Sequence, residues 1–176
     1  NYFMEDILMK EAPAENGVEQ KKPIRKMCFI LSKAGLESVY ACFIMANGAR
    51  MEGIEAEIFF TFFGLDAVHK KRLEHLHIAT VGNPGMHILT LLGVSPGTES
   101  YASRMLRKQM EAMDLPTVHE FLDILSASGV QMYGCKLAAD MFKITKDDLY
   151  EGIDSIITVG DFYQHAQGDG VHMIFV

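Results

Sequence analysis

A chain of 176 residues, 49% hydrophobic and 22% charged, fits one globular domain better than two and holds ample material for a core. Its formal charge of −7, with Lys70, Lys71 and Arg72 as the densest basic cluster, argues against a nucleic-acid partner. No apolar run approaches the roughly 20 residues of a membrane-spanning helix, and three scattered cysteines make free thiols in a reducing cytoplasm the expectation.

Residues 1–24 mix acids, lysines, alanines and two prolines without a sustained apolar period, and read as a flexible tail with one short helical patch. No charged-then-apolar leader pattern opens the chain, and Met4 and Met9 are candidates for its true start. Residues 25–176 read as a single α/β domain. Met27, Cys28, Phe29, Ile30 and Leu31 form an unbroken apolar run, as expected for a strand buried on both faces, and Ser32-Lys33-Ala34-Gly35 breaks it. Leu36, Val39, Tyr40, Phe43, Ile44 and Met51 recur at helical spacing, with Gly53 as the stop. Ile54 to Phe62 reads as the second strand, closing a βαβ unit.

The return to the sheet is delayed. A short helix from Leu65 to Leu73 precedes two strong turn signals, Gly82-Asn83-Pro84-Gly85 and Gly93-Val94-Ser95-Pro96-Gly97. Long irregular connections in compact domains tend to be functional, so Asn83, Pro84, Gly85 and Met86 are candidates for a loop or lid. The apolar segment Met86 to Leu92 suits core, lid or oligomer contact equally. A helix from Glu99 to Met113 lines up Tyr101, Met105, Leu106 and Met110, and Thr117 with Glu120 forms a capping box for the next helix. Val130 to Gly134 is the third strand, Cys135 opens a helix through Phe142, and Thr145 with Asp148 caps a further short one. Ile153 to Val159 is the fourth strand, Gly160-Asp161 starts a helix, and Val171 to Val176 is the fifth strand. This alternation predicts a doubly wound, mainly parallel five-stranded sheet with helices on both faces, a three-layer sandwich related to flavodoxin. Ligand-handling groups in such sheets gather beyond the carboxyl ends of the strands: here Ser32, Lys33, Gly64, Cys135, Lys136, Gly160 and Asp161.

Cys135 is the sharpest chemical signal. At a strand-to-helix junction its sulfur can face the positive end of a helix dipole, which favours the thiolate, as cationic Lys136 and Lys33 also would if their strands are neighbours. A buried structural cysteine is the competing reading. Cys28 lies in a strand run and Cys42 beside Phe43 in a helix, both settings for packing. With no CxxC, a single reactive thiol suits a sulfur carrier better than dithiol exchange. His75 and His77, with His69 or His87, offer imidazoles, but no HExxH or paired cysteines accompany them, so no metal is expected. Neither GxGxxG nor GxxxxGK[ST] occurs, so no cofactor is expected either, although the Ser32–Gly35 turn could hold an anion. Gly93 to Gly97 matches GxSxG literally, but Pro96 cannot donate to an oxyanion hole.

Phe29-Ile30-Leu31-Ser32-Lys33, the stretch Ala46 to Ala56, Phe60-Thr61-Phe62-Phe63-Gly64-Leu65, Val81-Gly82-Asn83-Pro84, the helix near Met105, and Gly134-Cys135 followed by a helix with Asp140 together resemble the DsrE/DsrF-like family. The resemblance spans residues 25–176. It implies a parallel α/β sandwich, homo-oligomers (trimer or hexamer), and a cytoplasmic sulfur relay in which Cys135 holds sulfane sulfur as a persulfide and exchanges it with donor or acceptor proteins. Ser32, Lys33, Gly134 and Lys136 are then the candidates to stabilise the anionic sulfur. A non-enzymatic oligomeric binding module with a passive cysteine, or a nucleotide or flavin binder, are the alternatives.

Overall fold

A computed structural model describes residues 23–78, 104, 105, 108 and 114–176. Most of the expected tail, the 79–103 connection with its lid candidates, and most of the Glu99–Met113 helix lie outside the described residues. The first apolar run is β1 (Lys26–Leu31). Helix α1 (Leu36–Met51) buries Leu36, Val39, Cys42, Phe43, Ala46 and Ala49, and Gly53 follows at φ +74°. Of the expected face, Leu36, Val39 and Phe43 point inward, whereas Ile44 and Met51 are exposed because the small residues Ala46 and Ala49 continue the buried stripe instead. Strand β2 (Glu55–Phe60) ends two residues short of the expected Phe62, giving way to a 3-10 helix at Phe62–Val68 and another at Leu73–His75.

The reason for the early stop is a close approach of backbones. Gly64 N–H donates to Ser32 O at 3.1 Å and to Thr61 O at 2.9 Å. A Cβ on Gly64 would stand 2.0 Å from Leu31 O, so only glycine lets the end of β2 fold against the end of β1. The turn leaves Phe62 at φ +46°, a left-handed conformation unusual for an aromatic residue. Gly64→Ala must push two backbones apart, and we expect it to destabilise the fold by about 3 kcal/mol in urea denaturation. A change below a few tenths of that would show that the turn is not tightly packed.

Helix α2 (Val118–Ala127) starts at the expected Thr117–Glu120 capping box and turns its apolar side to α1, Phe121 meeting Phe43 at 5.7 Å and Tyr40 at 6.1 Å. Then come β3 (Gln131–Cys135), α3 (Lys136–Phe142), a 3-10 turn at Lys146–Asp148 within the Thr145–Asp148 box, and β4 (Ser155–Ile157). Strand β4 is shorter than the expected Ile153–Val159, because Thr158 and Asp161 form a capping box that starts α4 (Val159–His165) at once. Strand β5 (Val171–Phe175) closes the sheet.

All four pairings are parallel, in the order β4-β3-β2-β1-β5. Side chains alternate between sheet faces. Phe60 meets Phe43 of α1 at 6.4 Å, whereas Phe59 stacks on Phe162 of α4 at 4.6 Å. Helices therefore cover both faces, and the sheet is doubly wound. Phe29, Phe43, Phe60, Leu122 and Met132, all under 2% exposed, fill the α1–α2 side of the core, each contributing about 1.5–3 kcal/mol by burial.

Candidate functional site

Cys135 is at once the last residue of β3 and the N-cap of α3, with extended backbone (φ −73°, ψ 120°). It pairs with Ile157 of β4 at the carboxyl end of the sheet. Its side chain makes no capping hydrogen bond to the amides of α3, and the residue is 3% exposed. A Cβ on Gly134 would meet Ile156, Leu149 and Leu65 at 3.4–3.5 Å, on the face opposite the Cys135 side chain.

The candidate cations are spread out. Lys136 points outward and grips Asp140 of its own helix, Nζ lying 2.6 Å from each carboxylate oxygen. Lys33 is exposed beyond β1, and β2 lies between β1 and β3, so the two strands are not neighbours. Ser32 sits on the β5 side of β1, its Oγ donating to Val176 O at 3.3 Å. The structure thus joins Gly134, Cys135 and Lys136 at one junction and leaves Ser32 and Lys33 at another. Asn83, Pro84, Gly85 and Met86 fall outside the described residues.

The other thiols differ from Cys135 in setting. Cys28 and Cys42 are fully buried, and burial pushes them up to about 11 and about 12, with the Glu57 carboxylate adding to the rise at Cys28. Both exceed the ordinary 9.0. The unfolded chain therefore ionises these thiols first: their contribution to stability is whole below pH 9 and is lost as pH climbs through 11 and 12. Unfolding free energy is expected to fall across that window with a slope approaching about 1.4 kcal/mol per pH unit for each thiol, and less steeply in Cys42→Ala. Equal alkaline slopes for the two proteins would contradict this.

Around the junction, Phe62 (49% exposed), Phe63, Leu137 and Met141 form apolar exposed surface, with Phe63 and Phe142 rings 5.6 Å apart. Strained residues concentrate at functional sites, and Phe62 is one that sequence patterning missed. A second missed group lies on the α4 face at the amino end of the sheet. Glu57, 0% exposed, has Oε2 2.6 Å from Lys26 Nζ and Oε1 3.2 Å from His165 Nδ1. The Lys26 contact is an ion pair without hydrogen-bond geometry, because Oε2 has no hydrogen-bond partner. Lys26 Nζ donates instead to His165 O, the last carbonyl of α4, and the Tyr133 ring meets His165 edge-on at 5.0 Å. An acid among the apolar residues of β2, two positions on from the exposed Glu55, was the available signal.

The Ser32–Gly35 turn borders a cleft of about 460 Å³ lined by Asp66, Lys71, Arg72, His75 and His77. Arg72 is already paired with Asp66, and the Glu37 carboxylate lies over Gly35, Oε1 2.8 Å from where a Cβ would stand. The chain's own acids thus occupy this end of α1. Among the described residues no group of three or more His, Cys, Asp or Glu could hold a metal ion, and no helix is long and apolar enough to cross a membrane.

Comparison with known proteins matches residues 23–174 to a family described as DsrE/DsrF/DrsH-like. The sulfur carrier protein DsrE2 of Allochromatium vinosum is 28% identical over 138 residues, covering 74% of this chain and 86% of that relative. The uncharacterized protein YrkE of Bacillus subtilis is 20% identical over 142 residues, covering 74% and 84%. Two solved structures share the fold: the protein of unknown function MTH1491 from Methanobacterium thermoautotrophicum (TM-score 0.53, 13% identity) and ychN protein from E. coli (TM-score 0.52, 16% identity). Each alignment covers 86% of this chain and 99% of the other.

Proposed function

The chain belongs to the DsrE/DsrF/DrsH-like family, and from that premise we propose that it is a sulfur carrier which holds sulfane sulfur as a persulfide on Cys135. The observation that carries the reading is the position of Cys135 at the β3–α3 junction, at the carboxyl end of a parallel sheet, in a chain similar to a named sulfur carrier. The two remaining thiols are sealed in the core and held protonated at neutral pH.

The chemistry needs no external oxidant. The Cys135 thiolate attacks the terminal sulfur of a polysulfide or persulfide donor, whose S–S bond breaks, and the electron pair leaves with the donor thiolate. A thiolate on an acceptor protein then attacks the outer sulfur, and Cys135 leaves as thiolate. Donor and acceptor proteins, a homo-oligomeric assembly of three or six copies and a reducing cytoplasmic setting belong to this reading. The test is intact-mass and peptide mass spectrometry of reduced protein after exposure to polysulfide. One added sulfur on the Cys135 peptide is the expected result; an adduct confined to Cys28 or Cys42, or none, contradicts it.

One observation favours a second reading, a non-enzymatic binding module with a passive cysteine: the 3% exposure of Cys135. Under that reading the exposed Phe62, Phe63, Leu137 and Met141 are the working surface. Alkylation separates the two, because a carrier thiol must label in the native protein and a sealed one must not.

A further inference from the structure

We infer that α4 is a cover over the Cys135 sulfur, and that opening of its first turn sets how fast this thiol can react. The inference concerns the regulation of the site just proposed and rests on that reading for its biological meaning.

Topology dictates the path. Strands β4 and β5 are the two edges of the sheet, so the chain between Ile157 and Val171 must cross β3, β2 and β1. Helix α4 begins two residues beyond Ile157, which pairs with Cys135, and so starts level with that cysteine. It ends at the amino side, where His165 reaches Glu57 of β2, Tyr133 of β3 and, through its carbonyl, Lys26 of β1. Midway, Phe162 lies flat on Phe59, the two rings 15° from parallel. Phe59 pairs with Tyr133, and Cys135 is two residues further along β3, so its side chain emerges on this same face. Cys135 is 3% exposed, as a thiol beneath this helix would be.

The two ends of α4 are held differently. The His165 end is tied down by the buried Glu57–Lys26 pair and by Phe162. The first turn carries exposed Val159, Gly160 and Asp161, and among the described residues its side-chain hydrogen bonds are those of the Thr158 box. Thr158 Oγ1 and Thr158 N–H donate to Asp161 Oδ2 at 2.7 and 3.0 Å, which holds the Asp161 carboxyl below its usual range, and Oγ1 accepts from Asp161 N–H at 3.2 Å. A seven-residue helix has little stability of its own, and helix ends open more readily than packed middles. Fraying from Thr158 uncovers Cys135 while Phe162 and the Glu57 pair stay in place.

The cover can be loosened and tightened at exposed positions that leave the core alone. Thr158→Ala removes the cap and should raise the rate of Cys135 alkylation by iodoacetamide roughly three- to tenfold. Gly160→Ala adds a methyl whose nearest neighbour, Thr158 Oγ1, is 3.6 Å away, and favours the helix, so it should slow alkylation roughly two- to fivefold. Rates are read on the Cys135 peptide of the full chain at one pH. Equal rates in the three proteins, or shifts of the same sign in both variants, overturn the cover. Alkylation requires no sulfur donor, so failure of the cover and failure of the sulfur-carrier reading are separate: labelling that follows α4 without a polysulfide adduct sinks only the carrier, and the reverse sinks only the cover.

Discussion

Cys135→Ser protein exposed to polysulfide is expected to keep its mass, where the parent chain gains sulfur, a loss of essentially the whole adduct. Serine matches cysteine in size, so the β3–α3 junction keeps its shape, but a neutral hydroxyl does not attack sulfane sulfur at neutral pH. The other thiols cannot substitute. With Cys42 pushed up to about 12 and Cys28 to about 11, their thiolate fraction at pH 7.5 is on the order of one in ten thousand, and both side chains are fully buried. Cys28→Ala and Cys42→Ala should therefore retain the adduct within about twofold, despite the packing cost of each cavity. An adduct surviving in Cys135→Ser at the parent level would move the chemistry elsewhere in the chain.

What local pattern can specify was legible; what distant segments specify together was not. The run Met27–Leu31 and the Thr117–Glu120 box each encode their element within a few residues, and each appears where the pattern puts it. The spacing from Leu36 places α1 as a helix, but Ile44 and Met51 of its expected face are exposed. The boundary errors have local causes that outweigh strand propensity. Thr158 with Asp161 starts a helix inside an apolar run that reads as strand through Val159, and Gly64 bends the chain at Phe62 because a second backbone lies against it. The first cause is visible as a capping pair three residues apart; the second is not, because Leu31 is far away in sequence. Strand order is likewise non-local. Nothing near Lys33 or Cys135 says that β2 separates their strands, and that separation keeps Lys33 away from the junction at Cys135. The alternation Glu55-Ala56-Glu57-Ile58-Phe59-Phe60 does mark Glu57 as an acid among buried neighbours, and such a residue needs a partner. Finding Lys26 and His165 as those partners required the sheet register and the return of α4.

The buried pair gives the largest stability effect that we expect from a single side chain. Lys26→Met keeps the length and apolar stem of the side chain and removes its charge. Glu57 would then sit at 0% exposure without its cation, with His165, 35% exposed, as the remaining neighbour of opposite potential charge. Removing one member of a buried pair costs about 3–5 kcal/mol, because a carboxylate is left desolvated, not because the pair itself was worth that much. The same substitution frees the His165 carbonyl at the end of α4, adding a smaller loss. Lys26→Met/Glu57→Leu removes both charges and should recover most of the deficit, since an apolar pair of similar volume in such a site is close to neutral. Urea denaturation of the parent, the single variants and the double variant completes the cycle. Recovery in the double variant identifies desolvation as the cause. A double variant as unstable as Lys26→Met would instead mean that the pair is held for its geometry, as the tether of α4, and the cover over Cys135 would then be fastened at both ends by polar contacts.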